Sequence, residues 1–342
     1  QWLGEISYPL YLWHWPLLVI PMVYLGRGLS IYERAIAILA TLLFADLTHR
    51  FIEQPIRHMT IAPKKVVTGA VIATLIATGT GLAITATANN TITLSTGQTY
   101  SLDQIMEKPE VYLDDCHVNN GEVLSGDCTY GPKTDRNIVL FGDSHAAQWM
   151  PVLEKLAYEK NFTLISLTKS ACPGPAVVKV ETGGYKNADC DEWRKNSIER
   201  IQKLKPMAVL VSGMQHFELP RGYADRASWW REGQEKTFAA LQGSSANIIY
   251  ISDTPHPQRD IPSCIAAGRI DKCNNTEPSQ AIFTTGWQQI NPTPWFCAQN
   301  CPAILNGVVV YRDASHISVM ASKMVKPQLL STLLSLGVFA SK

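Results

Sequence analysis

The chain reads as an α/β domain on a doubly wound parallel sheet, preceded by transmembrane α-helices. Three observations lead there. From residue 136 on, short β-rich runs alternate with helical ones, the rhythm of strand–helix–strand units in a parallel sheet. Residues 66–88 hold no charged side chain over 23 positions, enough for a helix to cross a bilayer. All eight cysteines lie at or beyond position 116, which points to disulfides in an oxidising compartment.

The membrane part comes first. Tyr8–Leu25 is apolar and aromatic, Ile31–Leu47 is a second apolar run with Glu33, Arg34 and Asp46 near its ends, and Val66–Ala88 is the third. His49, Arg50, Arg57, His58, Lys64 and Lys65 gather between the second and third runs. Basic loops stay in the cytoplasm, so the third span exits and everything after about residue 88 lies outside. The cysteines point to the same side.

With 342 residues the chain has room for more than one domain, and its net charge of +1 offers no polyanion-binding surface. Nucleic acid is therefore excluded as a partner class. The sequence opens without Met or a cleavable leader, so it is expected to be a piece of a longer protein. The cysteines are expected to pair with near neighbours: Cys116–Cys128, Cys172–Cys190, Cys264–Cys273 and Cys297–Cys301. No Cys/His spacing suits a metal, so none is expected.

Residues 89–135 are polar and read as a linker packing on the domain that follows. In that domain, 136–342, strands are predicted at Asn137–Phe141, Thr163–Leu167, Ala208–Ser212, Asn247–Ser252 and Val308–Tyr311. Helices are predicted at Ala147–Glu159, Cys190–Leu204, Ser228–Leu241 and Met320–Leu336, and Gly183–Gly184 marks a turn. Sites in such sheets collect beyond the carboxyl ends of strands.

Two stretches fit that rule. Ile138–Phe141 runs into Gly142, Asp143, Ser144 and His145, a buried strand handing over to a helix. Far downstream, Val308–Tyr311 runs into Asp313, Ala314, Ser315 and His316. A serine at a helix start has unpaired backbone N–H groups around it to steady a negative oxygen. It becomes a nucleophile once a base takes its proton. His316 is the predicted base and Asp313 the group that orients it, with helix capping as the bland alternative for Asp313.

In order and spacing these two blocks resemble the SGNH hydrolase family, with Gly-Asp-Ser first and Asp-x-x-His last. The resemblance implies an oxyanion hole from the serine N–H, a second-block glycine and a third-block asparagine. Gly174 is the second-block candidate. Gln215 stands where the asparagine is expected, a departure that keeps an amide on a longer arm and suits the membrane-fused branch. His145 either packs or touches the acyl group, and His216 is a candidate for acceptor sugar. His256 reads as loop architecture, and Trp229, Trp230, Trp287 and Trp295 are either core or sugar platforms.

The N-terminus carries a second resemblance. Ser7, Tyr8, Tyr11, Leu12 and His14, followed by Glu53, Pro55 and Arg57, resemble the closing part of the acyltransferase-3 membrane family, over about residues 1–60. Residues 61–88 would be the additional span that some members place before an SGNH domain. His14 is the membrane-domain candidate, with a structural role as its alternative; Glu53 and Arg57 read as an i, i+4 ion pair. The resemblance implies a bacterial inner-membrane, multi-pass carbohydrate O-acetyltransferase with a periplasmic catalytic domain. Acetyl-CoA would be acyl donor to the full-length membrane domain, with no cofactor held by this piece. Its partners would be a cell-envelope glycan such as O-antigen lipopolysaccharide, the lipid bilayer, and earlier spans of the same protein. Two rivals stand beside this: an SGNH carbohydrate esterase with the same triad, and a non-catalytic glycan-binding domain.

Overall fold

The computed structural model describes residues 2–25, 28–59, 62–87, 91–94, 96–181, 186–245, 247–257, 259–268, 270, 273–274, 281–282 and 286–339. The expected turn at Gly183–Gly184 and the end of the third span at Ala88 lie outside them. The chain divides into two compact units. One is residues 1–102 with 263–269; the other is 103–262 with 270–342.

The first unit is helical. Ser30 starts the helix Ile31–Thr48 with a capping box: its hydroxyl accepts from Glu33 N, and Glu33 accepts from Ser30 N at 2.7 Å. That satisfies two backbone donors that a helix start leaves open. The preceding helix, Ser7–Leu25, packs on it through Trp13, which donates to Thr48 Oγ1 at 2.9 Å and stacks on Phe44. A π-helical turn, His49–Glu53, and the helix Gln54–His58 follow, then the helix Pro63–Thr87 and a small hairpin of β1 (Thr91–Thr93) and β2 (Thr99–Ser101).

Two stretches, Ile31–His58 and Lys64–Ala83, are long and apolar enough to cross a membrane. Ser7–Leu25 is a helix as expected but does not join them. Its two internal prolines and its His, Trp and Tyr side chains dilute the hydropathy that the leucines supply.

The second unit is built on a seven-stranded sheet. Its strands are β3 (His117–Val118), β4 (Thr129–Tyr130), β5 (Asn137–Gly142), β6 (Thr163–Lys169), β7 (Ala208–Ser212), β8 (Ile248–Ile251) and β9 (Gln288–Ile290). Their order is β3-β6-β5-β7-β8-β9, all parallel, with β4 antiparallel on β6. The sheet's flank is thus supplied by residues upstream of 136: the compact unit starts at Asp103 and takes in much of the polar stretch read as a linker.

The central strands are apolar on both faces because both are covered. In register, Val139 aligns with Ile165 and Val209, and Phe141 with Leu167 and Val211. These point into a core with Trp193 of the helix Asn187–Leu204 and with Trp229 and Trp230 of the helix Arg226–Leu241. The alternate residues Ile138, Leu140, Leu164 and Leu210 are buried as well. Trp229, Trp230 and Trp287 are therefore core, not sugar platforms; Trp295 meets Trp149 edge to face.

One strand differs from expectation. Val308–Tyr311 does not enter the sheet. Val308–Val309 (β11) pairs with Ile304–Leu305 (β10) as a separate hairpin, and the strand that flanks β8 on the side away from β7 is β9. The apolar run reports burial, and a hairpin tucked into the core buries it equally well. The cysteine pairs Cys116–Cys128, Cys172–Cys190 and Cys297–Cys301 are formed. Cys264 and Cys273 are disulfide-bonded too.

Candidate active site

The chain leaves β5 to form β6 on one side and later returns to form β7 on the other. Connections that part this way open a crevice at the carboxyl end of the central strand. Ser144 stands there, as first residue of the helical turn Ser144–Ala147. Gly142 makes the approach possible: at φ +153°, a Cβ there would lie 2.0 Å from the Ser212 carbonyl oxygen. Asp143 caps the turn by accepting from His145 N at 2.8 Å, and its other oxygen accepts from Met214 N at 3.0 Å. One buried carboxylate thus ties the serine turn to the loop after β7.

The Asp313–His316 loop is closed on itself. Arg312 N donates to the His316 carbonyl at 3.0 Å, and Tyr311 bridges to Ile317. Gln148, one turn beyond Ser144, fastens that loop to the serine's helix by accepting from Ile317 N at 2.9 Å. His316 Nδ1 donates to Asp313 Oδ2 at 2.8 Å, and the backbone N–H groups of Ser315 and His316 donate to Oδ1 at 2.7 Å. Asp313 does not cap the following helix; Ser318 does.

These contacts set the charges. Burial alone would raise the Asp313 carboxyl, but the His316 ring and the two N–H groups hold it well below the usual range. Burial pushes His316 down to about 4, helped by His145 and opposed by Asp313. His316 is thus neutral near pH 7, with Nδ1 on Asp313. Its Nε2 is buried and has no hydrogen-bond partner among the described residues. That is the state a general base requires.

The other candidates are placed differently. The Gly174 N–H donates to the Ser212 carbonyl at 3.0 Å. Gln215 is buried, with its amide donating to Tyr250 Oη at 2.8 Å and its N–H to Asp253. Both donors proposed for the oxyanion hole are committed to protein acceptors here, which leaves the helix-start N–H of Ser144. His145 neither touches solvent nor offers a nitrogen to an acyl group: it is fully buried, between Asp253 and Ser315. His216 stands half in the open, 3.3 Å from Asp253, its ring tilted over His256. In the helical unit, His14 Nδ1 is 2.6 Å from the Tyr11 carbonyl of its own helix. Glu53 pairs with His49 at 3.1 Å, closer than with Arg57 at 4.0 Å.

Sequence reasoning missed the depth of the site. Asp253 was visible only as part of a proline-flanked loop, and Ser315 only as a spacer. Tyr112, His117 and Arg312 pack beside the Asp313–His316 loop.

The family described as "SGNH domain (fused to AT3 domains)" matches residues 115–331. The chain belongs to this family. Among curated proteins, the O-acetyltransferase OatA of Staphylococcus aureus is 46% identical over 56 residues, 16% of this chain and 9% of that protein. The peptidoglycan O-acetyltransferase OatA of Listeria monocytogenes is 37% identical over 59 residues, again 9% of its length. The chain thus spans about a tenth of the curated relatives it matches. Among solved structures, the periplasmic domain of the lipopolysaccharide acetyltransferase of Salmonella ser. Paratyphi A aligns with a TM-score of 0.47 at 15% identity. That alignment covers 68% of this chain and 94% of the other.

Proposed function

We propose that the chain is part of a membrane-anchored O-acetyltransferase. Ser144 is the nucleophile, His316 the base and Asp313 its orienting partner. The observation that carries this is the neutral, Asp313-bound His316 with a bare buried Nε2, on a loop that Gln148 fastens to the helix Ser144 begins. Family membership and O-acetyltransferase relatives give the group transferred.

In the first half-reaction His316 Nε2 takes the Ser144 hydroxyl proton while Oγ attacks the acetyl carbonyl. The negative oxygen gathers at the Ser144 N–H, and the leaving group departs with the proton from His316. In the second, His316 deprotonates an acceptor hydroxyl, which attacks the acetyl-serine carbonyl. Ser144 leaves and recovers its proton.

The acceptor class is a cell-envelope polysaccharide, with the O-antigen of lipopolysaccharide and peptidoglycan as the two to compare. The acetyl group would originate from acetyl-CoA at the membrane domain, and His14 belongs to that half of the question. The formed disulfides and the basic cluster before the Lys64–Ala83 span favour a periplasmic position in a bacterial inner-membrane protein.

The test is mass spectrometry of the detergent-solubilised chain after exposure to an aryl acetate, with Ser144→Ala alongside. An acetyl adduct on Ser144, discharged faster to a glycan than to water, supports the transferase. Discharge to water alone turns the reading to an esterase. No difference between native and alanine chains removes Ser144 from the role.

A further inference from the structure

Behind His316 stands a second imidazole–carboxylate pair that the acyl-transfer scheme does not use. Asp253, at the end of β8, is fully enclosed. Its carboxylate accepts from His145 Nδ1 at 2.6 Å, Thr254 N at 2.8 Å, Gln215 N at 2.9 Å and His216 Nδ1 at 3.3 Å. A carboxylate served by that many donors stays ionised and fixed in place, so His145 carries a hydrogen on Nδ1. The far nitrogen of His145, Nε2, lies 3.0 Å from Ser315 Oγ, which in turn lies 3.3 Å from His316 Nδ1. Asp253, His145, Ser315, His316 and Asp313 form one unbroken chain of polar contacts.

We propose that Asp253, His145 and Ser315 are positioning residues for His316, locking its ring in the tautomer whose Nε2 is bare. The proposal rests on the reading of Ser144 as nucleophile and His316 as base. Its logic is a count of hydrogens. Ser315 has one hydroxyl hydrogen. Burial disfavours a charge on His145, although Asp253 carries its pKa above the ordinary value overall. In the neutral form of the ring Nε2 presents a lone pair, and the Ser315 hydrogen is committed there. Ser315 Oγ then offers only lone pairs to His316, so His316 Nδ1 must supply the hydrogen. The opposite tautomer would set a lone pair of Nδ1 against both Ser315 Oγ and the Asp313 carboxylate.

Asp313 alone is a weaker clamp, because its side chain is 38% exposed and competes with solvent. The His145–Asp253 arm is wholly buried and cannot be diluted by water. Charge adds to geometry. The His145 and His316 rings are 4.6 Å apart, so a proton on either opposes a proton on the other. His316 is faced by Asp313 and Arg312 from its own loop, by His145, and by His117. The state of His145 is thereby felt at the base.

Ser315→Ala in the detergent-solubilised full chain tests this, because the position is half-exposed and its loss leaves the buried Asp253 contacts intact. The readout is the rate of Ser144 acetylation by an aryl acetate across the acid range, with 15N shifts of the His316 ring to read its tautomer. We expect the maximal rate to fall about tenfold, as for lost outer-layer hydrogen bonds elsewhere, with KM unchanged. The acid limb should move to lower pH, because protonated His316 has lost an acceptor. Ser315→Thr, which keeps the hydroxyl, should restore both. Native rate and limb in Ser315→Ala, with Ser144→Ala inert, would overturn the positioning role and leave the nucleophile standing. Absence of Ser144-dependent acetylation in the native chain would overturn both readings.

Discussion

The two units of this molecule use the same apolar side chains in opposite ways. In the α/β unit, Val139, Leu167 and Val211 are completely buried. In the helix Pro63–Thr87, Val67, Leu75 and Ile76 are each more than 60% exposed. Water tolerates the first arrangement, and only hydrocarbon rewards the second. The chemistry divides along the same line: the disulfides Cys116–Cys128, Cys172–Cys190 and Cys297–Cys301 and the paired His–Asp groups all belong to the α/β unit. In the helical unit the ties between helices include Trp13 to Thr48 and Trp2 to Asp46. What differs is the solvent each part was selected to meet.

A buried charge gives the sharpest break in this comparison. Leu167→Asp puts an unpaired carboxylate at the centre of the sheet and should abolish the fold of the α/β unit, a cost above about 4 kcal/mol. Leu75→Asp on the helix Pro63–Thr87 should weaken membrane insertion by about 3 kcal/mol while leaving the α/β unit's melting unchanged. Thermal melts and membrane fractionation of the two variants distinguish these outcomes. Equal effects on both readouts would sink the two-solvent account.

Next in size is the proposed base. Asp313→Asn keeps the shape of the side chain but can no longer hold His316 as an anion would. The rate of Ser144 acetylation should drop on the order of a thousandfold, with the melting temperature barely moved. Replacing Cys172 and Cys190 together by Ser should cost the α/β unit about 3 kcal/mol through the freed denatured chain, and leave membrane insertion untouched. A denaturant melt would show whether that cost is present.

The last effect is pH-dependent. Burial holds His117 near 3 and His316 near 4, so both stay neutral in the fold while the unfolded chain protonates them around pH 6.5. Between about pH 6.5 and 4 the unfolded state binds more protons, so stability falls as pH falls. The loss should be on the order of a few kcal/mol. A melting temperature that is flat over that window would contradict the burial of these rings as neutral groups.

Much of this was legible in the sequence, for a physical reason. β5, β7 and β8 are nearly continuous apolar runs, as burial on both faces favours, while β6 mixes its leucines and isoleucine with buried Thr163, Ser166, Thr168 and Lys169. Ser144, Asp313 and His316 could be singled out because each lies in a short local block just after an apolar run. β9 was not legible: Gln288 and Gln289 interrupt the apolar signal, and its role is set by pairing with β8. The Val308–Tyr311 run shows the converse, since hydrophobicity tells that a segment is buried and not what it pairs with. Asp253 and His145 lie 108 positions apart, so their contact exists only in the fold. Gly174 and Gln215 sit where a motif would put an oxyanion hole, yet the directions of their N–H groups are fixed by Ser212 and Tyr250.

The outer side of β6 is covered in two halves. β4 pairs with Leu164 and Ile165, β3 with Thr168 and Lys169, and Cys116–Cys128 joins the two patches. A chain begun at residue 136 would lose both and present β6 as an open edge, a row of unpaired backbone groups beside apolar side chains. Such edges recruit other copies of themselves. The polar stretch ahead of β5 is in this sense a guard against aggregation, and anyone wishing to express the α/β unit alone should begin upstream of Asp103.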